Sequence, residues 1–477
     1  MSLVPPSLRA VVVLAILSSA GCRAHSAAPW EASSAYTYFV APPPAGSWML
    51  RVAVTLERAP SQRIVAPGDS EPFGAVEGSE GSLARSGTGW IAPACLVRCT
   101  LRYTVDLDAL ASACRRIDCS RRVGDAIVGT ASIWMLRPEP MGDAVIRVVL
   151  RGGDPARFAT GLRRDPRGGF VLRSGELAEA SYTAFGSFRR AQVDVPGARL
   201  DVALLGAPLD MGDAATLEWI RGGASCVARL FGRFPTDAAV FVVPVHGADE
   251  VVFGRVMSLA GPSVVLLFGD AARAERARND WVVVHELFHL GCPSFGGEGH
   301  WLEEGLATYY EPILRERAGW ITARELWSHF AREMPRGLRR NGDPASLERR
   351  DDIDSTYWGG ALFALVADVK IRVTTRGQRS LDDVVRAALT REGDASHTAR
   401  LADFLRIGDE ATGTRALSEV NDAWAVRGEN VDLDVLWRQL GVDAKKSPRE
   451  GEGELVELEE GAPLAAVRAA ISASGGH

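Results

Sequence analysis

The run HELFH, His285 to His289, limits what this chain can fold into more than any other feature. Two histidines four apart on a helix share one face, close enough to bind one metal ion. Glu286 lies one step around the helix and can reach a water on that metal without ligating it. The stretch Asn279-Asp280-Trp281-Val282-Val283-Val284 just before it offers a capping pair and then an apolar face. That is the pattern of a buried helix carrying a site.

A catalytic zinc takes three protein ligands and keeps one position open. The candidate for the third ligand is Glu304, in Trp301-Leu302-Glu303-Glu304-Gly305-Leu306-Ala307-Thr308-Tyr309-Tyr310. Residues 290–303 leave room for a loop and a helical turn that brings it back. Its neighbour Glu303 points about 100° away on a helix. Glu298 competes as the third ligand, but a loop glutamate flanked by glycines is poorly held. His300 and Glu303 are candidates for substrate contact, and His246, at the end of a strand, for the wall of the cleft. The aromatic residues between 301 and 310 read as core.

The chain has 477 residues, 47% hydrophobic and 24% charged, which suits roughly two to four packed domains. Its net charge is −6, with no block of lysine or arginine, and nothing points to nucleic acid. Arg9 followed by AVVVLAIL, Ala10 to Leu17, reads as an export signal, its apolar stretch too short to span a membrane. Ser18-Ser19-Ala20-Gly21-Cys22 resembles the lipobox of bacterial lipoproteins, which makes Cys22 the lipidated first residue. Arg23 after it, with no aspartate, suits an outer-membrane lipoprotein of the bacterial cell envelope. Ordinary cleavage nearby, giving a periplasmic or secreted protein, is the rival. No later stretch is apolar and long enough to span a bilayer, so the mature body reads as soluble.

Six further cysteines in an oxidising compartment read as disulfides. Cys95, Cys99, Cys114 and Cys119 suit a ladder, Cys95–Cys119 with Cys99–Cys114, or a four-cysteine structural zinc; Cys226 and Cys292 complete the set.

Composition and period divide the chain into a signal (1–22), an Ala-, Ser- and Pro-rich tether (23–46), a β-sandwich (47–205), a catalytic unit (206–340), a helical domain (341–444) and a charged, glycine-rich tail (445–477). Short alternating runs, such as Trp48 to Thr55 and Ala144 to Leu150, mark the sandwich. Beyond about residue 210 the period turns helical, interrupted by the apolar strands Ala238 to Val245 and Ser263 to Phe268.

HELFH, WLEEGLATYY, Asp354 to Leu362 (DSTYWGGAL), Ala367 to Arg372 (ADVKIR) and Arg379 to Val384 (RSLDDV) together resemble the glycyl aminopeptidase family of gluzincin zinc metallopeptidases. Val128 to Trp134 and Leu230 to Pro235 extend the likeness, which covers about 120 to 440. The resemblance implies a multidomain α+β fold: an N-terminal β-sandwich, a thermolysin-like α/β zinc-peptidase domain and a C-terminal helical domain. It implies one zinc per chain on His285, His289 and Glu304, Glu286 as general base, Tyr357 as the hydrogen-bond donor to the tetrahedral intermediate, and a peptide or protein substrate. Four features depart from the family: Gly359 stands where a lysine is usual, Gly254 to Ser258 carries no carboxylate, the His289–Glu304 loop is short, and no PDZ-like domain is visible. Aminopeptidase specificity therefore does not follow. The alternative is a catalytically inactive gluzincin-fold lipoprotein that binds a partner at the cell envelope.

Overall fold

The computed structural model describes residues 34–473, apart from 60, 96, 115–119, 351 and 444–454. The export signal, Cys22 and Cys119 lie outside the described residues. Among these residues no helix is long and apolar enough to cross a membrane.

The N-terminal unit is built from strands that bury every second residue. In Ser34–Ala41 the inward set is Tyr36, Tyr38 and Val40. This strand lies inside a seven-stranded sheet, parallel to Ala144–Leu150 and antiparallel to Met49–Glu57, which pairs in turn with Arg98–Asp106. The inner face shares one core with two four-stranded sheets, around Trp134 and Phe185. Two of its buried hydroxyls are bonded to backbone: Tyr38 donates to the Leu136 carbonyl at 2.7 Å and Tyr103 to that of Trp134 at 3.1 Å. Residues 34–41, expected in the tether, are thus an inner strand; the Ala, Ser and Pro around them diluted the alternation.

The second sheet runs in the order Phe188–Val195, Ala198–Leu205, Ala238–Val245, Ser263–Gly269, Val251–Met257. Its three middle strands are parallel and almost wholly apolar, as expected where both faces are covered. The boundary expected at 205/206 runs through this sheet, because the hairpin 188–205 supplies two of its strands. An alternating hairpin reads the same in sequence whichever sheet it joins. Val251–Met257 is the outermost strand, antiparallel to its neighbour.

Helix Gly212–Phe231 connects two strands of this sheet, and helices Val282–His289, His300–Arg317 and Gly360–Thr374 follow. One hydrophobic core continues from the sheet through all of them to Leu440, so the segments expected as separate units at 206–340 and 341–444 share it. Arg468, in helix Ala465–Ser472 of the expected tail, donates to the Leu440 and Gly441 carbonyls at 2.9 Å and docks the end of the chain. The architecture is a multidomain α+β fold: β-layers first, an α/β centre, then helices.

The cysteines differ from expectation. Cys95 pairs with Cys99, whose Cα atom is 5.7 Å away, within disulfide reach, and not with Cys119. Cys114 is also disulfide-bonded. Cys226 and Cys292 are buried free thiols, because core packing and not pairing claims them. In the native protein both should resist alkylation, and both should react after unfolding without reductant. A non-reduced digest should return Cys95 joined to Cys99; a Cys95–Cys119 peptide would refute the pairing.

Candidate active site

The HELFH helix begins where Asp280 accepts the Val282 backbone N–H at 2.7 Å, the capping expected from the sequence. Its apolar side packs so closely on the Gly212–Phe231 helix that a Cβ on Gly223 would stand 2.9 Å from Val283. The opposite side carries His285 and His289. The two Nε2 atoms are 3.3 Å apart, and the same oxygen of Glu304, Oε2, lies 3.1 Å from the first and 3.6 Å from the second. Among the described residues these three form the one group of side chains able to hold a metal together. With bonds of about 2.0–2.1 Å, tetrahedral ligand atoms stand roughly 3.3–3.4 Å apart. The spacing and the two-imidazole, one-carboxylate donor set therefore fit zinc. One atom fits less well: His285 Nδ1 is buried with no partner among the described residues, and a buried unsatisfied donor costs about 1–3 kcal/mol.

Electrostatics tie the three together. Burial opposes charge on Glu304, but His289 and His285 outweigh it and hold the carboxyl well below its usual range. Burial lowers His285. It works the same way on His289, where the Glu304 carboxylate wins and raises the imidazole to about 9.

Glu304 arrives on the helix His300–Arg317, which is anchored deep in the core: Tyr309 donates to Asp368 at 2.9 Å and Tyr310 to Asp382 at 3.1 Å. This helix crosses Gly360–Thr374 at a glycine pair. A Cβ on Gly305 would sit 2.3 Å from the Gly360 backbone, and one on Gly360 would sit 2.1 Å from the Trp301 carbonyl. That approach sets Tyr357, in the π-helical turn Asp354–Gly359, beside the cluster. Its ring stacks on His285, with centroids 5.8 Å apart and planes 9° apart, and burial, reinforced by the Glu304 charge, pushes its hydroxyl well above the usual range.

Glu286 stands outside the ligand group, on the wall of a cavity of about 370 Å³ that His289, Glu304 and Tyr357 also line. Burial pushes its carboxyl up to about 8, while the nearby His289 and Arg255 charges work the other way. The outermost strand forms the facing wall. A Cβ on Gly254 would stand 2.4 Å from Glu286 Cγ, so glycine there lets strand and helix close on each other.

Of the other candidates, Glu303 lines the cavity but commits Oε1 to the loop, accepting the Phe295 backbone N–H and the Ser294 hydroxyl, the latter at 3.2 Å. His300 is exposed at the cavity wall. Glu298 is exposed and outside the ligand group. His246 is fully exposed and pairs with Asp270 at 2.8 Å, away from the cavity. Two lining residues were missed. Arg255 sits on the outermost strand next to Gly254, where strand alternation, which turns neighbours to opposite faces, would not have flagged it. Glu179 reaches the cavity from the N-terminal unit, and no local pattern announces it.

No family profile and no curated protein matches the sequence. Solved structures do resemble the fold. An aminopeptidase N family protein from Idiomarina loihiensis aligns with a TM-score of 0.60 at 15% identity, over 85% of this chain and 78% of its own. An E323A mutant of an M1 zinc metallopeptidase from Deinococcus radiodurans gives a TM-score of 0.49 at 15% identity, over 84% and 95%. At such identity the first likeness establishes the fold: this chain is built like an aminopeptidase N family protein.

The glycine crossing yields a test. Gly305→Ala should cost at least about 1–3 kcal/mol in a denaturant melt, since backbone must move to admit the methyl. A melt unchanged within about 0.5 kcal/mol would mean the helices do not cross this closely.

Proposed function

We propose that the chain is a zinc-dependent metallopeptidase of gluzincin type, aminopeptidase-like in build, that hydrolyses peptide bonds in peptides or proteins. The observation that carries this reading is the convergence of His285, His289 and Glu304 on one point, with Glu286 on the wall of the same cavity. His285, His289 and Glu304 would hold the zinc, which when bound supplies Lewis-acid chemistry to a water and to the scissile carbonyl. Glu286 takes the proton of the attacking water and returns it to the leaving amine. The Tyr357 hydroxyl donates to the oxygen that gains charge. The outermost strand, Val251–Met257, offers backbone to an extended peptide laid beside it. The motif resemblance points within this class to the glycyl aminopeptidases.

Two experiments test the reading. Wild type prepared without chelators should hold one zinc per chain, and His289→Ala should lose it. Glu286→Gln should keep zinc and lower hydrolysis of a library-selected peptide by about 10²–10⁴-fold. Zinc without cleavage of any library peptide would favour the inactive, partner-binding alternative.

A third experiment concerns the free N-terminus. Residues 254–258 of the facing strand present no carboxylate, and Glu303 spends Oε1 on its own loop. Blocked and free forms of one cleaved peptide should then react within about tenfold of each other, under roughly 1.4 kcal/mol. A preference for the free amine above about a thousandfold would require an ammonium site, and Glu303 and Glu179 would be the residues to mutate.

A further inference from the structure

The seven-stranded sheet turns its second face outward, and the register across it makes a recess far in sequence from the HELFH site. One row runs Arg151, Ala41, Arg51, Thr104; the next runs Val149, Phe39, Ala53, Arg102, Glu77. Ala41 and Ala53 sit diagonally, so small side chains form the floor while arginines stand at the rim. The result is a cavity of about 440 Å³ whose walls include Arg51, Arg102, Arg151 and Phe39. That is the size of a small-molecule site and larger than a bare ion needs.

The arginines here behave unlike their neighbours. On the same face, Arg98 pairs with Glu57 at 2.9 Å, and Arg147 with Asp165 at 2.8 Å. Among the described residues Arg51, Arg102 and Arg151 are in no ion pair, although Arg51 and Arg102 are diagonal cross-strand neighbours, close enough for their long side chains to meet at one ligand. Arg151 lies over the Phe39 ring at 4.7 Å, which holds its guanidinium at the wall without using its hydrogen bonds. Three guanidinium charges against the single carboxylate of Glu77 leave two positive charges in a cavity rich in donors and poor in acceptors.

We propose that this recess is a binding site for a phosphate monoester or diester group, carried by a small solute or by a lipid headgroup. A phosphate brings up to about two negative charges and several acceptor oxygens, which guanidinium forks match in pairs. The Thr104 hydroxyl adds one more donor to the cavity.

The test uses the full chain with two probes: glycerol 3-phosphate by calorimetry, and phosphatidylcholine vesicles with or without one-third phosphatidylglycerol by co-sedimentation. Wild type should bind a phosphate probe, and the Arg51→Gln/Arg102→Gln double variant should weaken that binding by at least about tenfold. Glu77→Gln should tighten it, and Arg98→Gln, on the same face but paired, should leave it unchanged. Ligand-free melts of the variants check folding, and the single variant Arg151→Gln serves if the double variant is unstable. Binding of glycerol 3-phosphate without vesicle preference identifies a solute site. A phosphatidylglycerol preference lost in the same variants identifies a headgroup site. No binding of either probe at millimolar concentration, or equal binding by wild type and the arginine variants, overturns the proposal.

Discussion

Three lone-pair donors held 3.1 to 3.6 Å apart repel one another unless a cation or a proton lies between them. The middle of this molecule is arranged to hold the three together. His285 and His289 are spaced by helical pitch alone, but Glu304 must be pressed against them by another helix. That pressure comes from the Gly305–Gly360 crossing and from Tyr309 and Tyr310 bonded into Asp368 and Asp382. Asp368 also accepts the Arg372 guanidinium and the Leu381 backbone N–H, at 3.0 and 2.8 Å, so several helices converge on one buried carboxylate. Such a network is stable only when fully satisfied, and a satisfied one fixes geometry well.

The loop between His289 and Glu304 could have been a weak point. Instead the 394–399 segment braces it: the Ser294 N–H donates to the His397 carbonyl and the Ala399 N–H to that of Ser294, both at 2.9 Å. Glu303 closes it from the other end by accepting the Ser294 hydroxyl. A glutamate expected to contact substrate is thus part of the device that aims its neighbour. Helix geometry separates the two roles, because adjacent residues face different partners.

What could be read from the sequence divides along the same line. HELFH, the capping Asp280 and the return of Glu304 were legible, because each depends on spacing within one or two local elements. Tyr357 was legible only through the resemblance; nothing local says that a π-helical turn will stack it on His285. The failures were matters of long-range pairing. Ser34–Ala41 alternates only weakly in sequence, and its place inside a sheet depends on a partner at 144–150, far along the chain. The 188–205 hairpin has the right period for either sheet. The cysteine ladder assumed a bond across a strand where the chain closes a short loop instead.

The two halves of the cavity carry different kinds of information. The helical wall holds His289, Glu304, Glu286 and Tyr357, all fixed by helix pitch or glycine contacts, and it specifies chemistry. The opposite wall is the outermost strand with Arg255, together with Glu179 from the N-terminal unit. A strand wall exposes side chains that can change without disturbing the helices behind the donors. Gly254 is the exception, since Glu286 leaves no room for a Cβ there. The strand can therefore carry an arginine and no carboxylate while the donor set is untouched. The donor set and the side chains that face it can thus vary independently, even though both line one cavity of about 370 Å³.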